Sequence, residues 1–192
     1  TTGEGGVVFT NNEKYYKELI TLRNLYFGKN RDFRHTKNSL NSRFTSIQAS
    51  IGIDQISKIN FFLNKRKNMY NNYLKFFKNY ESYFTTQLIN KNIKSSYWVF
   101  GILIKKSFIS RKYFESILFE KGIQTRRFFY PLSMQPFLNN KMKINDKTAL
   151  DIWQKGIYLP LGNGITINEV SYVLKTIKKI INDYEKRKNQ KK

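Results

Sequence analysis

The 192-residue sequence predicts an α/β chain: the end of one mixed layer, a long connecting helix, and a small α+β domain of a few strands covered by helices. Three observations predict it. A glycine-crowded opening, "TTGEGGVVFT", runs into a short β-branched stretch. Apolar residues then recur at helical spacing from Ile47 to Phe77. Beyond Tyr80, a β-rich run, a helix signal and a second β-rich run follow one another.

Each element has its local reason. In the opening, Val7, Val8 and Phe9 read as a strand that the Asn11-Asn12 pair turns. From Asn12 onward Tyr16, Leu19, Ile20, Leu22 and Tyr26 keep helical spacing until Gly28 stops them. Residues 28–44, "GKNRDFRHTKNSLNSRF", keep no period and read as a long loop, and loops beyond about 12–15 residues in compact domains are functional or disordered. Thr45-Ser46-Ile47-Gln48 matches the capping box, in which the Thr hydroxyl and the Gln amide satisfy each other's orphan backbone donors. The stripe Ile47, Ile51, Ile56, Ile59, Leu63, Tyr70, Tyr73, Leu74 and Phe77 then traces one long helix, straight or kinked.

In the second half, "SSYWVFGILI" over 95–104 reads as a strand, a helix runs from Ser110 to Gly122, and 123–129 is a second strand. Phe128 and Phe129 in it read as core. Pro131 and Pro136 break the chain, a short helix from about Leu150 to Lys155 ends at Gly156, and "IYLPLGNGI" reads as extended or turn-like. Thr166-Ile167-Asn168-Glu169 is a second capping box, starting a helix through Val170, Val173, Ile177 and Ile181 to about Tyr184. "EKRKNQKK" reads as a frayed basic tail.

Composition bounds the function. The absence of cysteine excludes disulfides and thiolate metal sites, and a single histidine makes a histidine-rich metal site implausible. No apolar run is long enough to cross a bilayer and no signal-peptide pattern is present, so the expected location is the cytoplasm, without a membrane partner. The net charge of +22 invites a basic nucleic-acid-binding module as a rival reading. Lysine exceeds arginine, however, alongside abundant Asn, Ile, Phe and Tyr, the signature of A/T-rich codons, and the aromatics lie at helical spacing rather than on a stacking platform. The charge therefore reads as solvated surface, with no nucleic-acid partner expected.

Four phrases in order, "TTGEGGVVFTN", "LNSRFTSIQASIGIDQI", "KGIQTRRFFYPLSMQPF" and "YLPLGNGITINEV", resemble the C-terminal half of the sugar aminotransferases that use pyridoxal 5'-phosphate, the DegT/DnrJ/EryC1/StrS family. The resemblance covers residues 1–182. Within the family, "TTGEGG" and "GIQTRRFFYP" are similar to the perosamine-synthase branch, which aminates C4 of a GDP-linked 4-keto-6-deoxy sugar for O-antigen.

The resemblance implies a fold-type-I pyridoxal-phosphate transferase, a cytoplasmic homodimer with shared active sites that moves an amino group from L-glutamate to a nucleotide-linked 4-keto-6-deoxy sugar. Residues 1–60 would be the C-terminal part of the large cofactor-binding domain, with 28–44 as a dimer-crossing loop. Residues 61–184 would be the small C-terminal α+β domain and 185–192 the tail. The lysine forming the Schiff base with the cofactor would lie upstream of Thr1, so the chain itself would carry no catalytic residue and would be inactive alone. The opening glycines would let the backbone turn tightly beneath the cofactor. A relative that dehydrates at C3, with histidine in place of that lysine, fits the same text, and an inactive remnant is a further possibility.

By the same resemblance, Asn41 and Arg43 would reach the phosphate of the partner subunit's cofactor, an amide and a guanidinium fork being apt donors for a dianion. His35, Arg126 and Tyr130 would bind substrate, Arg126 and Tyr130 at the nucleotide diphosphate. The chain departs from the family at Ser39, usually glycine, at Ser42, usually aromatic, and at Ser133, where relatives carry histidine after the proline.

Overall fold

The computed structural model describes residues 1–27, 33–90, 92–138 and 146–190, and it divides into two compact units, Thr1–Asn60 and Phe61–Lys192. Helix α1 (Glu13–Arg23) starts where Asn12 turns its side chain back to accept from the backbone N–H groups of Lys14 and Tyr15. Helix α2 (Ser46–Ser57) begins with the Thr45–Gln48 capping box, both halves formed. It ends one residue before α3 (Ile59–Phe77), so the single long helix expected from the apolar stripe is two. The break falls at Lys58, with φ −101° and ψ 5°. There the Ser57 hydroxyl donates back to the Asp54 carbonyl at 2.7 Å, offering the backbone an alternative to the helical ladder.

The expected strand at Val7–Phe9 does not form: all three side chains are exposed, and no neighbouring strand pairs with them among the described residues. Gly28, the expected helix stop, lies outside the described residues; α1 already ends at Arg23 with Asn24 as its cap.

The second unit is built on a four-stranded antiparallel sheet in the order β1-β2-β4-β3, with β1 Phe84–Thr86, β2 Phe100–Ile104, β3 Arg126–Arg127 and β4 Gly156–Leu159. Register sets its two faces. Phe84 pairs with Ile104, Ile102 with Ile157, and Phe100 with Leu159, and all of these are buried on one side. Against that side pack Met69, Tyr70, Tyr73 and Phe77 of α3, Phe114 and Leu118 of α4 (Arg111–Glu120), and Val170, Val173, Ile177 and Ile181 of α6 (Ile167–Asn189). Phe100 is the hub, its ring 4.9 Å from Tyr73 and 5.7 Å from Phe77, stacked on both.

The other side carries Gly101, Leu103, Gly156 and Tyr158, reached from β3 by Arg126, which pairs with Tyr158. Here the Phe128 ring lies flat against the sheet. A Cβ on Gly101 would come within 2.6 Å of it and one on Gly156 within 2.2 Å, so both positions are hydrogen-only by close approach. Helix α5 (Lys147–Lys155) leads directly into β4.

Several boundaries move. β2 is the last half of the run read as a strand, and β3 only two residues of 123–129. The segment read as extended or turn-like is extended at its start, where Ile157–Leu159 belong to β4, which is paired on both edges. Helix α6 continues to Asn189, so most of the expected frayed tail is helical; Lys186, Arg187 and Lys188 complement the negative end of its dipole.

Candidate functional site

The expected site residues fall in both units. In the first, the opening segment lies on α2: the Gln48 side chain donates to the Glu4 carbonyl at 3.0 Å, and Thr2 Cγ2 is 3.3 Å from where a Cβ on Gly52 would sit. Gly5, at φ +146°, leaves room for the Phe44 ring, which would be 2.4 Å from a Cβ there. Gly5 thus has a reason within the chain: it lets the backbone pass against Phe44.

Phe44 follows directly on the loop residues of interest. Arg43 Nε donates to Asn41 Oδ1 at 3.3 Å, which ties the two exposed side chains into one group. The bond uses one guanidinium nitrogen and one amide oxygen. The terminal guanidinium nitrogens and the Asn41 amide nitrogen make no hydrogen bond among the described residues, so the pair presents donors only, the chemistry a phosphate requires.

His35 is held in place rather than freely solvated. It bridges to Phe27, stacks on that ring at 4.6 Å, and its Nδ1 lies 2.7 Å from the Leu25 carbonyl. A carbonyl only accepts, so Nδ1 carries the proton, and Nε2 makes no hydrogen bond among the described residues. Its partner turn is conformationally costly, with Leu25 at φ +62° and Tyr26 at φ +52°. A polar cluster secures it: the Tyr26 hydroxyl donates to Glu18 Oε1 at 2.6 Å, and Lys37 reaches the same oxygen at 3.1 Å while lying over the Tyr26 ring. The Tyr26 and Lys37 bonds hold the Glu18 carboxyl below its usual range, and Glu18 in turn raises both partners. Nothing in the sequence spacing pointed to this cluster. No hydrogen bond joins His35 to Asn41 or Arg43 among the described residues.

In the second unit, Arg126 projects from β3 on the sheet face opposite the core, beside Tyr158. Tyr130 sets its ring edge-on to Trp153 of α5 at 4.9 Å. Ser133 donates a hydrogen bond to the Asp146 carboxylate. Phe128 and Phe129, expected in the core, are both outside it: Phe128 is half-buried on the sheet face opposite the core, against Gly101, Gly156 and Tyr158, and Phe129, beyond the end of β3, is 72% exposed. An open depression of about 380 Å³ lies between α4 and the chain entering β3, lined by Glu115, Ser116, Phe119, Gln124, Thr125 and Arg127. It includes none of the expected site residues, and its one carboxylate is already paired with Arg111 and, at 3.6 Å, Arg127. Among the described residues there is no cluster of three or more His, Cys, Asp or Glu suited to a metal ion, and no helix is long and apolar enough to cross a membrane.

The profile of the DegT/DnrJ/EryC1/StrS aminotransferases matches residues 1–178. GDP-perosamine synthase of Escherichia coli O157:H7 is 28% identical over 183 residues, 95% of this chain and 49% of that protein. UDP-4-amino-4,6-dideoxy-N-acetyl-beta-L-altrosamine transaminase of Campylobacter jejuni serotype O:2 is 27% identical over 191 residues, 97% of this chain and 50% of that protein. Among solved structures, Helicobacter pylori PseC, an aminotransferase involved in the biosynthesis of pseudoaminic acid, superposes with a TM-score of 0.83 at 24% identity, covering 97% of this chain and 50% of that one. The chain spans about half the length of the curated relatives it matches.

Proposed function

The chain belongs to the DegT/DnrJ/EryC1/StrS aminotransferase family, and on that premise we propose that it forms the C-terminal half of a pyridoxal-phosphate-dependent nucleotide-sugar aminotransferase. The reaction takes the amino group of L-glutamate to the keto group of a nucleotide-linked 4-keto-6-deoxy sugar, in the making of surface polysaccharide. The observation that carries the reading is the family match over residues 1–178, together with a perosamine synthase aligned along 95% of the chain.

The donor set fits the cofactor. Asn41 and Arg43 present hydrogen-bond donors without an intervening carboxylate, and the bond between them fixes the guanidinium beside the amide. They hold the phosphate of the partner subunit's cofactor in a homodimer. When bound, pyridoxal phosphate supplies an electron sink for the charge left when a proton departs the carbon bearing the nitrogen. The amine that anchors it and moves that proton is assigned to a lysine upstream of Thr1. His35, whose Nε2 makes no hydrogen bond among the described residues, orients a substrate hydroxyl. Arg126 pairs with the diphosphate, and Tyr130, braced by Trp153, closes over it.

Burial supports placing the first unit within a larger domain. Tyr26 is its one buried hydrophobic side chain among the described residues, whereas Val7, Phe9, Leu40, Ile47, Ile53 and Ile56 are exposed. An apolar surface of that extent is the mark of an interface.

The test is to read the coding region upstream of Thr1 and assay the whole product. Lysine shortly before Thr1, with glutamate-dependent amination of a keto sugar nucleotide that stops when that lysine is replaced, supports the proposal. Histidine there, with loss of a hydroxyl and no amine transfer, overturns it in favour of a dehydratase.

A further inference from the structure

Trp98 and Phe129 are two of the aromatic rings that the second unit leaves facing water, Phe129 within its candidate substrate segment. They are 57% and 72% exposed, yet their planes lie within 19° of each other with centroids 6.4 Å apart. Two rings held parallel in this way stack on each other and still leave most of their surface to water, so a further planar group can extend the stack.

Both rings are mounted on anchored backbone. Trp98 follows Tyr97, whose φ of +50° is rare for an aromatic residue and whose N–H is taken up by the Ser95 hydroxyl at 3.0 Å. The Tyr97 ring is fastened to the core by Tyr70 at 5.2 Å. Phe129 follows Phe128, which is pinned between the Gly101 and Gly156 positions and lies 4.3 Å from Tyr158. The strain at Tyr97 and the two glycines both serve to present a ring outward, and strain of this kind gathers at ligand clamps.

Charge completes the arrangement. Tyr158 lies 6.4 Å from Phe129 and pairs across the strands with Arg126, whose side chain leaves the same face of the sheet. A stacked pair of exposed rings, with an arginine on the sheet face they adjoin, matches a ligand that is planar at one end and anionic next to it.

We propose that Trp98 and Phe129 form the stacking platform for the nucleobase of the nucleotide-sugar substrate, with Arg126 taking the adjoining diphosphate. The proposal rests on the nucleotide-sugar reading above and adds to it the place of the base. Stacking on ring faces is tolerant of base identity, since every base has a π-face, so the platform holds the base without reading it.

The experiment needs no cofactor. Binding of GDP and of UDP to the full chain is measured by calorimetry, with inorganic pyrophosphate as the probe that lacks a base. Both nucleotides bind more tightly than pyrophosphate; Trp98→Ala and Phe129→Ala each weaken them by about 5- to 100-fold and leave pyrophosphate unchanged. Trp98→Phe, which keeps a ring, recovers most of the loss. Both positions are exposed, so the variants fold, and far-ultraviolet circular dichroism confirms it. Equal binding of nucleotides and pyrophosphate, no nucleotide binding, or nucleotide binding indifferent to both alanine variants overturns the proposal. These outcomes are independent of whether the intact enzyme transfers an amine, so failure of the platform and failure of the aminotransferase reading are told apart.

Discussion

Replacing Gly101 or Gly156 by alanine tests whether the Phe128 ring organises the side of the sheet opposite the core. At Gly101 the new Cβ would sit 2.6 Å from Phe128 Cζ, with only ring atoms nearby; ordinary contact begins at 3.4 Å, so the ring must retreat by about 0.8 Å. At Gly156 the ring is closer, at 2.2 Å, and the Ile152 carbonyl oxygen is also 2.6 Å away. That carbonyl accepts the Gly156 N–H at the end of α5, so it cannot yield without loosening the helix terminus. Overpacking of this kind costs about 1–3 kcal/mol, and Gly101→Ala belongs in the lower half of that range, Gly156→Ala in the upper. The two differ in rescue. Removing the ring with Phe128→Ala opens the space that Gly101→Ala needs, so the double variant is more stable than the sum of the singles predicts, by about 1 kcal/mol or more. With Gly156→Ala the backbone clash persists and rescue is partial. The assay is urea unfolding of the four variants followed by tryptophan fluorescence, with Gly164→Ala, which meets nothing within 4 Å, as control. Strict additivity at Gly101 and Phe128 would refute the reasoning.

Tyr73 and Tyr70 are neighbours on α3 with opposite expectations: the Tyr73 hydroxyl donates to the Pro160 carbonyl at 2.8 Å, so Tyr73→Phe costs about 1 kcal/mol, whereas the buried Tyr70 hydroxyl has no partner among the described residues and Tyr70→Phe is neutral or stabilising in the same urea assay. Thr166→Ala removes one side of the α6 capping box and costs about 1 kcal/mol. Its partner Glu169 is held below the ordinary 4.5 by bonds from the Thr166 backbone and hydroxyl; that contribution is present above 4.5 and is lost as pH falls through the depressed value, so wild type and Thr166→Ala converge in stability in acid. In the intact enzyme, Arg43→Ala weakens pyridoxal phosphate binding by about 10- to 100-fold, and Arg43→Lys restores only part because an ammonium cannot replace the fork; unchanged cofactor affinity by spectroscopic titration counts against the assigned role.

What was legible in the sequence is what local chemistry decides. Both capping boxes formed where they were read, because the donor, the acceptor and their spacing all lie within four residues. β4 was legible only as one of two options: Pro160 and Gly162 follow closely and suggest a turn beside the extended reading, and pairing with β2 on one edge and β3 on the other makes Gly156–Leu159 a strand. β1 is three residues long, too short for any period to show. The strand read at Val7–Phe9 has the right composition and lacks a partner among the described residues, which composition does not record. Around the site, Asn41 and Arg43 were found through a quoted motif. Trp98 and the Glu18–Tyr26–Lys37 cluster were not, since one depends on which aromatic residues the sheet turns outward and the other on a fold-back across nineteen residues of chain.

The two units differ in what holds them, and the difference bears on where function can be perturbed. Nineteen buried apolar side chains form the core of the second unit, so Arg126, Phe129 and Tyr130 stand on backbone that the chain itself stabilises. In the first, Asn41, Arg43 and His35 stand on segments held by caps, one strained turn and a few exposed polar bonds, each worth about 1 kcal/mol. Covering the exposed Val7, Phe9, Leu40 and Ile47 would contribute about 1.5–3 kcal/mol for each side chain fully buried, more than all of those bonds together. The geometry of the phosphate-binding pair is therefore set by whatever packs on that surface, while the geometry of the nucleotide-binding face is not. Substitutions along the apolar face of α2 accordingly disturb cofactor affinity ahead of nucleotide affinity, and substitutions beneath the sheet do the reverse.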